Sequence, residues 1–380
     1  MLWGGSDASD PWIGKVIADR YRITRALGRG GMGQVFLAEQ KVGAASRKVA
    51  IKALHPDLVS DPGIAARFNR EAETVIRLSH PNTIVFHDFG RTDNGILYIV
   101  MEYIEGQSLA RLIERGPIEP ARVEHILSQI CSSLHEAHEI GIIHRDLKPE
   151  NVILSQRAAQ EDFVKLLDFG IAKRTELDAD SLKLTRAGVV LGTPPYMSPE
   201  QFAGQRLDRR SDVYSLGVLA YEMLTGVLPF SAKTPWEWAT HHLSTIPPAI
   251  PEQVAGRTLT ESSRRTIRRA LAKDVNQRPA TAMDFIDEFH GRPRRGDSPD
   301  SSLGQAAATG NSETCPNPSG SRRVDTTADT LVSVAIPLGK RRRRLYLVAL
   351  FLGLVLLLGL VGLGIATELG GSLLDWMRIR

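Results

Sequence analysis

Cysteine is nearly absent: Cys131 and Cys315 are the two in 380 residues. So few, so far apart, exclude a disulfide scaffold and a cysteine-based metal site, and they fit a reducing compartment. Residues 1–19 lack the basic start and apolar run of a signal peptide, so the bulk of the chain is expected to stay in the cytoplasm. No GxxxxGK[ST] pattern occurs, which removes the P-loop nucleotide-binding class. The net charge of +4 is small, and much of the basicity is gathered at 340–344 and in the arginine pairs 264–265 and 268–269. That distribution gives no footprint for nucleic acid. Long apolar runs are missing too, until residues 345–366.

The most informative stretch is His-Arg-Asp-Leu-Lys-Pro-Glu-Asn at 144–151. It presents an acid (Asp146), a cation (Lys148) and a neutral oxygen ligand (Asn151) on one loop. Phosphoryl transfer to an alcohol uses those three groups, as proton acceptor, charge stabiliser and metal ligand. Upstream, Gly28-Arg29-Gly30-Gly31-Met32-Gly33 lies between two strand-like segments, where glycines let backbone amides approach phosphate oxygens. A dinucleotide fold would need a helix directly after those glycines and an acid about 20 residues on. Here strand continues, and Val-Ala-Ile-Lys ends at Lys52.

This ordered set resembles the bacterial, membrane-bound kind of eukaryotic-like (Hanks-type) serine/threonine protein kinase, over residues 21–289. The resemblance implies an α+β, bilobal protein-kinase fold, with a β-rich N-lobe at 21–103 and a helical C-lobe at 104–290. It implies ATP and Mg²⁺ or Mn²⁺ as cofactors, and Ser or Thr of proteins as acceptors. Leu27, Gly28, Arg29, Gly30, Gly31, Met32, Gly33, Gln34 and Val35 would cover the nucleotide. Lys52 would reach its phosphates, while Glu102 and Ile104 would meet the adenine edge beside a gatekeeper at Met101. Asn151 and Asp168, the latter in Asp-Phe-Gly at 168–170, would hold the metal. Asp146 would accept the hydroxyl proton, Lys148 would stabilise the moving phosphoryl, and Thr193 would bond to both. Glu200 of Ser-Pro-Glu would pair with Arg278, although the family's usual residue at Ser198 is alanine. Asp212 would hold the catalytic loop. Lys52, Asp146 and Asp168 are all present, which argues against a relative that has lost turnover.

Helical spacing of Ile64, Phe68, Ala72, Val75 and Leu78 predicts a helix opening at Asp61-Pro62, with Glu71 beside its apolar face. Glu71 is the expected partner of Lys52, with Glu73 the competing carboxylate. A second helix is predicted over 120–139, and a third, almost wholly apolar, over 212–225 with Gly226 ending it. His125, His135 and His138 read as surface or packing residues. Trp236 and Trp238 are expected to pack the lower lobe, and the arginine pairs to face solvent. Arg145, directly before the catalytic acid, implies control by phosphorylation of the activation segment. Thr185 is the first candidate there, with Thr175 and Ser181 as alternatives.

Residues 1–20 read as an extension, and 291–344 as a disordered tether too poor in large apolar residues to fold. Residues 345–366 carry no charge and suffice to span a bilayer, which takes about 20 residues. The basic run before them places the kinase side in the cytoplasm at an inner membrane. Residues 367–380 form a short outer tail, and Gly362 with Ala366 hints at a homodimer.

Overall fold

The computed structural model describes residues 10–30, 33–54, 62–157, 160–169 and 193–292. Gly31, Met32, Gly170, Thr175, Ser181, Thr185, the basic run and the expected membrane span lie outside the described residues.

The first lobe is an antiparallel sheet. Its strands are β1 (Val16–Ile17), β2 (Tyr21–Gly30), β3 (Gly33–Val42), β4 (Ala45–Leu54), β5 (Phe86–Arg91) and β6 (Leu97–Glu102), in the order β1-β2-β3-β4-β6-β5. Alternation builds it: Tyr21, Ile23, Phe36, Ala38, Val49 and Ile51 turn to one face, while Leu27, Ala50 and Met101 are buried in a separate apolar cluster. Helix α1 (Pro62–Val75) follows β4 and buries Phe68, Ala72 and Val75.

The second lobe begins with β7 (Gln107–Ser108) and α2 (Leu109–Ile113), then α3 (Pro120–Glu139). The bounds of α3 coincide with those read from its apolar spacing, and Val123, Ile126, Leu127, Ile130, Cys131 and Leu134 are all buried. Strands β8 (Val152–Arg157) and β9 (Gln160–Leu166) pair with β7 into a small sheet, order β7-β8-β9, that carries the site loops. Helices α4 (Pro199–Phe202), α5 (Arg209–Thr225), α6 (Pro235–Ser244), α7 (Glu261–Ala270) and α8 (Ala282–Phe289) complete the lobe.

Helix α5 is its hub, buried along nearly its whole length. It starts three residues before the expected Asp212, because the Asp208 side chain accepts from Arg210 N and caps it there. It stops at Gly226, whose φ of 75° is the left-handed conformation that glycine adopts without strain.

One packing expectation needs correction. Trp236 is 79% exposed: it sits in the first turn of α6, outside the contact with the lobe. The inward side chain of α6 is His242, ringed by Phe202, Tyr214, Phe230 and Trp238 at centroid distances of 5.3 to 5.8 Å. The arginines of α7 lie, as expected, on its polar face, opposite buried Ser263, Thr266, Ile267 and Ala270. Arg268 is exposed, but Arg264 meets Glu252 and Glu261, and Arg269 bonds to Glu288.

Candidate active site

The loop after α3 is held by a buried carboxylate. Asp212 Oδ2 accepts from His144 N at 2.8 Å and Oδ1 from Arg145 N at 2.9 Å. His138 Nε2 lies 2.7 Å from Oδ2, and its side chain is 2% exposed. Burial pushes the Asp212 carboxyl up, but the hydrogen bonds and charge of His138 and His144 outweigh it and leave it below the usual range. The His144 ring leans on Phe169, 4.8 Å between centroids, and its Nε2 reaches Leu167 O at 2.7 Å. Burial lowers the His144 pKa, and these contacts hold the ring as a fixed bracket.

That bracket presents the reacting groups together. Lys148 Nζ is 3.1 Å from Asp146 Oδ2 and 2.8 Å from Thr193 Oγ1, and Thr193 Oγ1 donates to Asp146 Oδ1 at 3.3 Å. Asn151 Nδ2 donates to Asp146 O at 2.8 Å, which turns its amide oxygen away from the loop. Asp146 can therefore accept a proton, Lys148 can balance incoming negative charge, and Thr193 aligns the two.

A cleft between the lobes adjoins this loop. Leu27, Val35, Ala50, Ile153 and Leu167 give it apolar walls suited to a flat ring, and Gly28 lines it as well. Met101 is buried at its back, while Glu102, Tyr103 and Ile104 form its rim. The Glu102 amide donates to Val85 O at 2.9 Å, so an adenine edge would meet the carbonyl side of this residue. At the opposite end Lys52 Nζ lies 2.8 Å from Asp168 Oδ1. Register places them: Lys52 of β4 faces Val35 of β3 and Ile99 of β6. A flat apolar slot ending in a lysine, an aspartate and an asparagine fits ATP, with Asn151 and Asp168 as oxygen ligands for a hard divalent cation.

The glycine-rich hairpin is tight at Gly33. A Cβ on Gly33, at φ 149°, would lie 2.1 Å from Ala53 O. Gly30 pairs with Gly33 across it. The Gln34 side chain turns outward, donating to Asp10 Oδ2 and accepting from Arg29 Nη2, so these two side chains brace the hairpin outside the cleft. Glu71 lies half-buried on α1, and Lys52 forms a salt bridge with Asp168.

Deeper in the second lobe, Arg278 Nη1 and Nη2 grip Glu200 Oε1 and Oε2 at 2.8 and 2.9 Å, and Ser211 Oγ adds a bond of 2.7 Å. Burial raises the Glu200 pKa, yet Arg278 and Ser211 bring it below the ordinary range. Ser198 heads α4, where its backbone N donates to Gln201 Oε1 at 2.8 Å.

Three groups escape a reading of sequence alone. His138 ends the apolar face of α3, one position after Ala137, and that placement was the available signal for burial. Tyr196 Oη donates to Glu222 Oε2 at 2.5 Å; burial and the charge of Glu150 raise the Glu222 pKa against this bond. Lys165, amid Phe163, Val164 and Leu166, is a cation inside an apolar strand and lies buried.

The protein kinase domain family matches residues 21–289. Serine/threonine-protein kinase pkn3 of Myxococcus xanthus is 46% identical over 282 residues, covering 74% of this chain and 51% of that protein. Serine/threonine-protein kinase PknB of Mycolicibacterium smegmatis is 39% identical over 288 residues, covering 75% of this chain and 44% of that one. A crystal structure of the Mycobacterium tuberculosis PknI kinase domain superposes with a TM-score of 0.55 at 27% identity, covering 74% of this chain and 98% of that domain. This chain thus spans about half the length of the curated relatives it matches. With the ordered motifs, the bilobal fold and the extent of these matches together, the chain belongs to the Hanks-type protein kinase family.

Proposed function

We propose that this protein transfers the γ-phosphate of ATP to serine and threonine hydroxyls of proteins. The observation that carries the reading is the Asp146–Lys148–Thr193 triangle beside a cleft ending in Lys52 and Asp168. An acceptor hydroxyl donates to Asp146, which takes its proton as the oxygen becomes nucleophilic. Lys148 stabilises charge on the phosphoryl group in flight, and Lys52 orients the nucleotide phosphates from the other side. Glu71 is the proposed partner that steadies Lys52. Asn151 and Asp168 would hold a divalent cation, Mg²⁺ or Mn²⁺, which would supply charge neutralisation for the phosphate oxygens. Lys148 at this position in the loop supports Ser/Thr over Tyr as acceptor, in line with the names of the relatives.

The same reading extends to the organisation of the chain. Residues 21–290 act as the kinase, 291–344 as a tether, and 345–366 as a single membrane span that keeps the kinase on the cytoplasmic face. Uncharged length and the flanking Lys340 and Arg341–344 run support the span. Thr185 is the proposed phosphorylation switch, with Arg145 as its cation. The small pair Gly362 and Ala366 supports a homodimer in the membrane.

The test is incubation of the full-length chain in detergent with Mg²⁺ and γ-labelled ATP, plus a generic basic protein substrate. Label recovered as phosphoserine or phosphothreonine supports the proposal. Label confined to phosphotyrosine, or absent from folded, ATP-binding protein, refutes it.

A further inference from the structure

Behind the cleft lies an ion pair that the transfer reaction does not use directly. Lys165 is 7% exposed, and it is the one fully buried lysine among the described residues. Its Nζ donates to Glu102 Oε1 at 2.6 Å and to Thr83 O at 3.1 Å. Glu102 Oε1 also accepts from Val85 N at 2.8 Å, while the Glu102 amide donates to Val85 O at 2.9 Å. Residues 82–85 are thus gripped from the rim of the cleft. They are gripped from β9 as well: Leu166 N donates to Asn82 O at 2.7 Å, Ile84 N to Leu166 O at 3.0 Å, and Asn82 Nδ2 to Val164 O at 2.8 Å.

The two partners sit at telling places. Glu102 stands two residues before Ile104 on the rim, where the adenine would lie. Lys165 stands three residues before Asp168, which meets Lys52 where the phosphates would lie. A charge taken out of water at this joint is tolerated only while its partner and hydrogen bonds stay in place, so the pair resists sliding of one strand against the other. From this geometry we infer that Lys165 and Glu102 are positioning residues. They hold the adenine end and the phosphate end of the nucleotide site in register with each other. The inference rests on the ATP-binding reading above and does not require that transfer occur.

A ligand engaging both ends depends on that register, and a ligand engaging one end does not. The test is calorimetric titration of the full-length protein with Mg²⁺-ATP and, separately, with adenosine. Lys165→Met is expected to weaken Mg²⁺-ATP binding about tenfold and adenosine binding less than twofold. Because that change takes the cation from beside the half-buried Glu102 carboxylate, the melting temperature is expected to fall. The neutral double variant E102Q/K165M, whose glutamine still accepts from Val85 N, is expected to recover melting temperature while Mg²⁺-ATP binding stays weak. Unchanged Mg²⁺-ATP affinity in K165M, equal losses for ATP and adenosine, or affinity returning with stability in the double variant would each overturn the inference. Failure of wild-type protein to bind Mg²⁺-ATP at all would instead sink the nucleotide reading. Binding without phosphate transfer would leave the clamp standing and remove the kinase reading alone.

Discussion

Arg145 and Asp168, the residues flanking the site on its two loops, both adopt left-handed backbone, with φ of 64° and 52°. Non-glycine residues in that region carry about 1–3 kcal/mol of strain, which the surroundings must outweigh. Here Asp212 fixes the Arg145 amide, and Lys52 fixes the Asp168 carboxylate. These motif residues were legible in the sequence as an ordered set. Their partners were legible only in part, because spacing on a helix shows which way Glu71 faces but does not show Asp168 arriving beside Lys52. His242 was not legible at all: one histidine beside another in a polar stretch gives no sign of burial. In the fold, burial first, then the nearby charges of Lys273 and His241, push its pKa down to about 3, while Tyr214 hydrogen-bonds to Nδ1. The unfolded chain therefore binds one more proton between about pH 6.5 and 3. His242 withholds no stability above that window. Within it, stability falls with decreasing pH by up to about 1.4 kcal/mol per unit on its account. Denaturant titrations of His242→Phe are expected to show a slope shallower by about one proton; an unchanged slope contradicts this account of the ring.

At the scale of elements, the chain declares its helices through apolar spacing and conceals its close approaches. The α3 helix and the hub helix α5 could be read directly, since Val123 to Leu134 and Val213 to Leu224 leave no alternative to burial. Trp236 was misread because size and apolarity do not reveal which face of a short helix meets the lobe. The tight contact of Gly33 with β4 was equally hidden, since a glycine-rich motif signals room for a phosphate and says nothing about Ala53. Gly33→Ala must push β3 and β4 apart at the mouth of the cleft. We expect a loss of about 1–3 kcal/mol in stability by chemical denaturation, as for other overpacked sites. Mg²⁺-ATP binding should weaken with it, because Val35 and Lys52 lie opposite each other next to that contact. Wild-type stability and affinity in Gly33→Ala would show that the hairpin yields freely.

For the whole molecule, two lobes bring a nucleotide cleft and an acceptor loop together, and the uncharged run at 345–366 is proposed to bring both to a membrane. Removing residues 345–380 is expected to move the protein from the pelleted membrane fraction to the supernatant of lysed cells. Alkaline carbonate should fail to extract the intact chain; extraction from that fraction would refute a spanning helix. The central claim concerns chemistry, and Asp146→Asn addresses it most directly. Asparagine keeps the shape of Asp146 and removes its capacity to take a proton. Labelled-phosphate transfer to serine and threonine should drop by about 10²–10⁴-fold in the variant, with Mg²⁺-ATP binding measured in parallel close to that of the wild type. Transfer persisting at the wild-type rate in Asp146→Asn would contradict the account.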